Sequence, residues 1–292
     1  MIKPKNSLFL LLAVLCWGLG VPLSKALLGE MPPMLLLWVQ LLASVAILTA
    51  LVLLFYRNHL SCVLVIVPRL LLMGMLEPGL AYCLGFIGLS HTSSLHASMI
   101  FALEPIGIVL LGVLLFRIKI HPPMVWAVGS ALCGVALMIG EAGHDGQASA
   151  WGDVLVFLGT MVASLYVLLS LRSVADVPVV LMLWVQQIGS LIFVWLIVLW
   201  MGGSINVAWT QNFVWVACTG VIQFTLAFVF YFWGAKGASD AVAAMVLNLT
   251  PVVAVLASVV WLGESLSVLA VAGGMMVVLA ALYCVRHDTA QT

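Results

Sequence analysis

Ten stretches of this chain are each about 20 residues long and almost wholly apolar. They run roughly 7–28, 34–55, 68–90, 93–116, 122–140, 152–171, 179–201, 212–234, 239–262 and 266–285. A helix needs about that length to cross the hydrocarbon core of a bilayer. The runs are continuous and lack the alternation of a membrane β-strand, so helices are expected. Composition separates lipid-facing helices from helices buried in a soluble core. Only 7% of the 292 residues are charged and 65% are hydrophobic, whereas a soluble domain carries about 25% charged residues to cover its surface. These apolar faces therefore meet lipid. The first run follows Lys3 and Lys5, as a secretion signal would. It has no small-x-small cleavage site and continues through Trp17 and Lys25, so it is expected to stay as the first helix.

The basic residues set an orientation. With the N-terminus in the cytoplasm, Lys3, Lys5, Arg57, Arg69, Arg117, Lys119, Arg172, Lys236 and Arg286 all fall on the cytoplasmic side. Lys25 alone falls outside. The positive-inside rule then predicts a multi-pass inner-membrane protein with both termini in the cytoplasm.

The chain also repeats itself. Leu37-Trp38-Val39-Gln40 recurs as Leu183-Trp184-Val185-Gln186, an offset of 146. At the same offset, Gly74 to Tyr82 meets Gly220 to Phe228, Pro105 meets Pro251, and Ser24 meets Ser170. The expected organisation is a first five-helix repeat over 1–140, an outer linker over 141–150 and a second five-helix repeat over 151–292. Five is odd, so the second copy enters the membrane from the opposite side. Inverted repeats of this kind place a substrate site near the midplane between the halves.

Several chemistries are excluded. Net charge is zero, which gives no electrostatic case for nucleic acid. There is no Gly-x-x-x-x-Gly-Lys-Ser/Thr loop for ATP. The six cysteines are scattered, no Cys/His/carboxylate cluster suggests a metal, and no cofactor is implied.

Two carboxylates lie inside the apolar runs, Glu77 and Glu104, and each precedes a proline, Pro78 and Pro105. An ionised carboxylate at the bilayer centre costs about 3 kcal/mol on insertion scales, so such groups face a cavity, bind a cation or carry a proton. Proline kinks the helix beside them. Glu77 and Gln223 are related by the offset, as a site on a pseudo-two-fold would be; Glu104 is related to Thr250. His96, on the same span as Glu104, is a further candidate proton carrier alongside both glutamates, and a packing histidine is the other reading. Trp17, beside Gly18 and Gly20, is a candidate cavity wall, with Tyr82 and Tyr166; aromatic faces attract organic cations. Asn248 stands one turn from Pro251 and is a candidate lining residue. Gln40 and Gln186 read as ties between helices.

Trp17-Gly18, Pro32-Pro33, Ala102-Leu103-Glu104-Pro105, Gly152-Asp153 and Leu262-Gly263-Glu264-Ser265-Leu266-Ser267 occur in the order seen in EamA-type members of the drug/metabolite transporter superfamily, which this chain resembles. The resemblance spans nearly the whole chain. It implies ten helices, cytoplasmic termini and export of small metabolites. Phe116-Arg117-Ile118-Lys119 lacks the family's Gly-Glu pair, Thr250 and Gln40 replace common Glu and Arg, and Glu77 is not a family hallmark. The expected function is alternating-access efflux of an amino acid-like, cationic or zwitterionic metabolite, with membrane lipid around it and protons as the candidate coupling ion. A lipid-carrier flippase and a membrane lipid enzyme are the alternatives.

Overall fold

The computed structural model describes residues 4–117, 122–141, 148–170, 177–202, 212–236, 246–247, 249–265 and 267–288. Among them there is no strand. We number the helices α1 (Pro4–Leu28), α2 (Pro33–Ser61), α3 (Val67–His91), α4 (Ser94–Phe101), α5 (Glu104–Phe116), α6 (Pro122–Glu141), α7 (Ala150–Ser170), α8 (Val179–Trp200), α9 (Phe213–Ala235), α10 (Thr250–Leu262) and α11 (Val268–Asp288). Six of these, α1, α2, α3, α7, α8 and α9, are each long and apolar enough to cross a membrane. The pair α4–α5 makes a seventh, bent by 46°. Shorter apolar helices run over Val125–Leu137, Thr250–Leu262 and Val271–Ala280. The all-helical membrane architecture agrees with the expectation from sequence.

Two expected spans differ in detail. The second continues past residue 55, through a widened turn at Val52–Tyr56 and a tight one at Arg57–Cys62. The fourth is broken at Ala102-Leu103, and Pro105 sits in the first turn of α5. Proline is tolerated there because the first helical N–H groups have no intrahelical partner. The thin separator at residues 90–93 is a true break: Thr92 and Ser93 are extended, and the Ser93 hydroxyl caps α4 by accepting the His96 N–H at 3.1 Å.

Within α3, Glu77 leaves helical geometry at φ −143°, ψ 127°. The residue before a proline is pushed to extended backbone by the ring. Around it, Met75–Leu80 forms a widened turn. The same widened turn occurs in α9 at Val221–Leu226, displaced by 146, where Phe224 stands in the place of Pro78. The turn therefore belongs to the position in the repeat and does not depend on proline.

The contacts between halves exchange partners at that offset. Gly74 lies against Gln186, where an added Cβ would fall 1.7 Å from the backbone oxygen; Gly220 lies against Gln40, at 2.3 Å. Gly88 meets Val156 and Gly234 meets Leu10; Gly107 meets Ser164 and Gly18 meets Val253. Such exchange is what a two-fold axis between repeats produces. It sorts the helices. α1 packs on α9 and α10, while α7 packs on α3 and α5; α2 crosses α8, and α6 lies along α11. Buried polar ties join these layers. Gln40 Nε2 donates to Thr219 Oγ1 at 2.8 Å, Ser44 Oγ to Gln187 Oε1 at 2.5 Å, and Gln187 Nε2 to the Phe224 carbonyl at 2.5 Å.

Candidate functional site

The widened turn of α3 and the start of α5 put Glu77 and Glu104 close enough to interact electrostatically. Both are half-buried. The break at Ala102-Leu103 supplies the geometry, since α5 then begins at the carboxylate itself. Ser164 on α7 holds the backbone there by donating to the Glu104 carbonyl at 3.0 Å.

Tyr82, one turn beyond Glu77 on α3, senses both carboxylates, and its hydroxyl lies beside the Gln223 amide and the Trp17 indole. Its ring meets Phe224 at 4.8 Å. Gln223 comes from the repeat-related turn of α9, is buried, and accepts a hydrogen bond from Ser24 Oγ at 3.1 Å. Gly20 makes room for it: a Cβ at Gly20 would fall 2.9 Å from the Gln223 amide carbon. Trp17 packs edge-on against Phe228 at 5.0 Å and against Tyr231 at 5.6 Å. Its Nε1 is buried beside the Tyr82 hydroxyl but makes no well-formed hydrogen bond with it. Tyr166 interacts with Glu77 and donates to Gln186 Oε1 at 3.1 Å.

Glu77, Glu104, Tyr82, Trp17, Gln223 and Tyr166, all picked from sequence, are thus brought together from α1, α3, α5, α7 and α9. Asn248 lies outside the described residues. His96 takes a different partner: its Nδ1 lies 2.9 Å from Asp153 Oδ2, and Thr92 Oγ1 donates to the other Asp153 oxygen. His96 belongs with Asp153 at the α3–α4 hairpin. Tyr231, another mid-span aromatic, joins the wall through Trp17. Gln186 ties α8 to α7 by accepting from Tyr166, while its Nε2 is buried without a partner among the described residues; nothing in sequence marks an unpaired amide hydrogen. The same holds for the buried, unpartnered Thr250 Oγ1, the repeat-related counterpart of Glu104. Among the described residues no group of three or more His, Cys, Asp or Glu side chains could hold a metal.

The profile of the EamA-like transporter family matches residues 5–140 and 150–286. This chain belongs to that family. Among curated proteins, the transporter YvbV of Bacillus subtilis (strain 168) is 27% identical over 282 residues, covering 94% of this chain and 90% of its own length. The transporter YyaM of the same organism is 25% identical over 203 residues, covering 68% of this chain and 66% of its own, just under two thirds. A solved crystal structure shares the fold at a TM-score of 0.65 and 19% identity, over 97% of this chain and 96% of that one. The family and both relatives are named as transporters, none as an enzyme. As an EamA-like transporter this chain is a multi-pass membrane protein, and its two-repeat helical fold fits the family.

Proposed function

We propose that this protein is a secondary transporter that exports a small cationic or zwitterionic organic metabolite across the inner membrane by alternating access. In this reading ten spans in two inverted repeats, over 1–140 and 151–292 with a linker at 141–150, leave both termini on one side, and the positive-inside bias argues that this side is the cytoplasm. The observation that carries the reading is the meeting of Glu77 and Glu104 with Tyr82, Trp17 and Gln223 between the repeat-related halves. A carboxylate held in the bilayer is costly when ionised and uncompensated. An ammonium group supplies the compensation, and an aromatic wall adds cation–π attraction of about 0.5–2 kcal/mol. The indole N–H of Trp17 and the amide N–H of Gln186 are donors for a carboxylate or hydroxyl elsewhere on the same substrate. Protons are the proposed coupling ion, because a carboxylate that releases a cation to one side can return to the other carrying a proton.

The test is a thermal-shift screen of purified protein against amino acids, polyamines, nucleosides and quaternary amines across pH, followed by flux of the hits in proteoliposomes. Stabilisation by amines, lost in Glu77→Gln and in Glu104→Gln, is the expected result. Stabilisation confined to neutral or anionic compounds would overturn the cationic assignment. No stabilisation by any soluble compound would favour a lipid-carrier substrate.

A further inference from the structure

The hairpin between α3 and α4 is gripped by charged side chains from across the molecule. Lys25, near the end of α1, donates to the Leu89 carbonyl at 2.9 Å and the Thr92 carbonyl at 2.6 Å. These are orphan acceptors at the C-terminal end of α3, where a cation also meets the negative end of the helix dipole. Glu264, in the turn between α10 and α11, takes the other arm. One of its oxygens accepts the Ser94 N–H at 3.0 Å; the second accepts the Leu95 N–H at 2.9 Å and the Ser94 hydroxyl at 2.8 Å. Those N–H groups open α4, so a carboxylate sits where the dipole favours an anion. Lys25 and Glu264 also attract each other across the tip.

Both gripping residues come from the layer built of α1, α9 and α10. The hairpin belongs to the layer built on α7. Within that layer the hairpin is further fixed by Asp153, through Thr92 and His96, and by the Ser149 N–H donating to the His91 carbonyl at 3.0 Å. The tip is thus a rigid body held from outside by one cation and one anion. The repeat-related positions of Lys25 and Glu264 are Leu171 and Ile118, neither of them charged. This particular pair of charges is therefore not repeated at the offset of 146.

We infer that Lys25 and Glu264 form a clasp that shuts one end of the transport pathway when no substrate is bound. Opening that end requires the α3–α4 tip to leave α1 and the α10–α11 turn, which strips two helix termini of their charged partners. In an alternating-access carrier, shutting one end leaves the substrate-free state open at the other. In the proposed orientation the clasped end is external and the resting state faces the cytoplasm; this naming of sides rests on the alternating-access reading above. Glu264 and Lys25 act on access and touch no substrate.

The experiment is spin-label distance measurement on the full chain in liposomes, with native cysteines replaced and labels at His91→Cys and Ser265→Cys, both exposed. With the clasp intact, a single short-distance population is expected. Glu264→Gln and Lys25→Met, each first checked for a monodisperse profile and unchanged helical content, are expected to move a major fraction to a longer distance. Glu30→Gln, which removes an exposed charge at the same end outside the clasp, should leave the distribution as it was. Unchanged distances in both clasp variants would overturn the inference. So would an equal shift in Glu30→Gln, which would make the effect one of general loosening. Transport by Glu77→Gln is read separately, so failure of the central-site reading is distinguishable from failure of the clasp.

Discussion

Glu77 has the geometry of a residue set aside for work. It stands in extended backbone inside a helix, half-buried, with Glu104 and Tyr82 as electrostatic neighbours. Replacing it by Gln keeps the shape and removes the charge. We expect Glu77→Gln to insert normally, to melt close to the unmodified protein, and to lose at least about tenfold in transport, since one charge-assisted contact contributes about 1.5–3 kcal/mol. Flux in proteoliposomes measures this, and full activity would remove Glu77 from the site. Glycines at the crossings make a second residue-scale prediction. A methyl at Gly74 or Gly220 collides with the backbone oxygen of Gln186 or Gln40. Backbone has nowhere to go, so Gly74→Ala and Gly220→Ala should each cost about 1–3 kcal/mol or more by overpacking. The two should behave alike, because they are one contact seen twice. A detergent melting curve is the readout, and an unshifted melting temperature in either would deny the close crossing.

At the scale of elements, breaks matter more than helices. The fourth span was legible as an apolar run with a proline in it, but its division into α4 and α5 was not. Proline says that a helix is interrupted or begins; it does not say which. Likewise Pro78 advertised a kink in α3, yet the matching turn in α9 forms around Phe224 without proline. No local signal there predicts it, and the common cause is the shared position against a crossing helix. The α4 start is a local matter by contrast. Ser93 was visible in sequence as part of a thin polar separator, and its hydroxyl caps the helix. Ser93→Ala should destabilise the protein by about 1 kcal/mol, read as a melting temperature lowered by a few degrees with transport retained. A far larger loss would mean that Ser93 does more than cap.

For the whole molecule, the offset of 146 joins sequence to architecture. It relates each contact to its counterpart in the other half, and the exchanged pairs Gly74 with Gln186 and Gly220 with Gln40 follow it residue by residue. The orientation is the prediction at this scale. A green fluorescent protein fused after the C-terminus should fluoresce, and alkaline phosphatase placed there should be inactive. Phosphatase inserted in the 141–150 linker should be active. The reverse pattern would turn the molecule over and assign the Lys25–Glu264 clasp to the cytoplasmic side.

Hydrophobic run length and charge scarcity settled, from sequence alone, that this chain forms membrane helices, because the bilayer leaves a long apolar segment no other way to satisfy its backbone. The fixed offset settled that there are two repeats, and the cost of buried charge singled out Glu77 and Glu104. What those groups face was decided only by tertiary structure. His96 pairs with Asp153, 57 residues away, and Glu264 caps a helix 169 and 170 residues before it. A buried polar group must be satisfied by whatever packing brings near, and sequence spacing carries no record of that neighbour once the chain has crossed the membrane and returned.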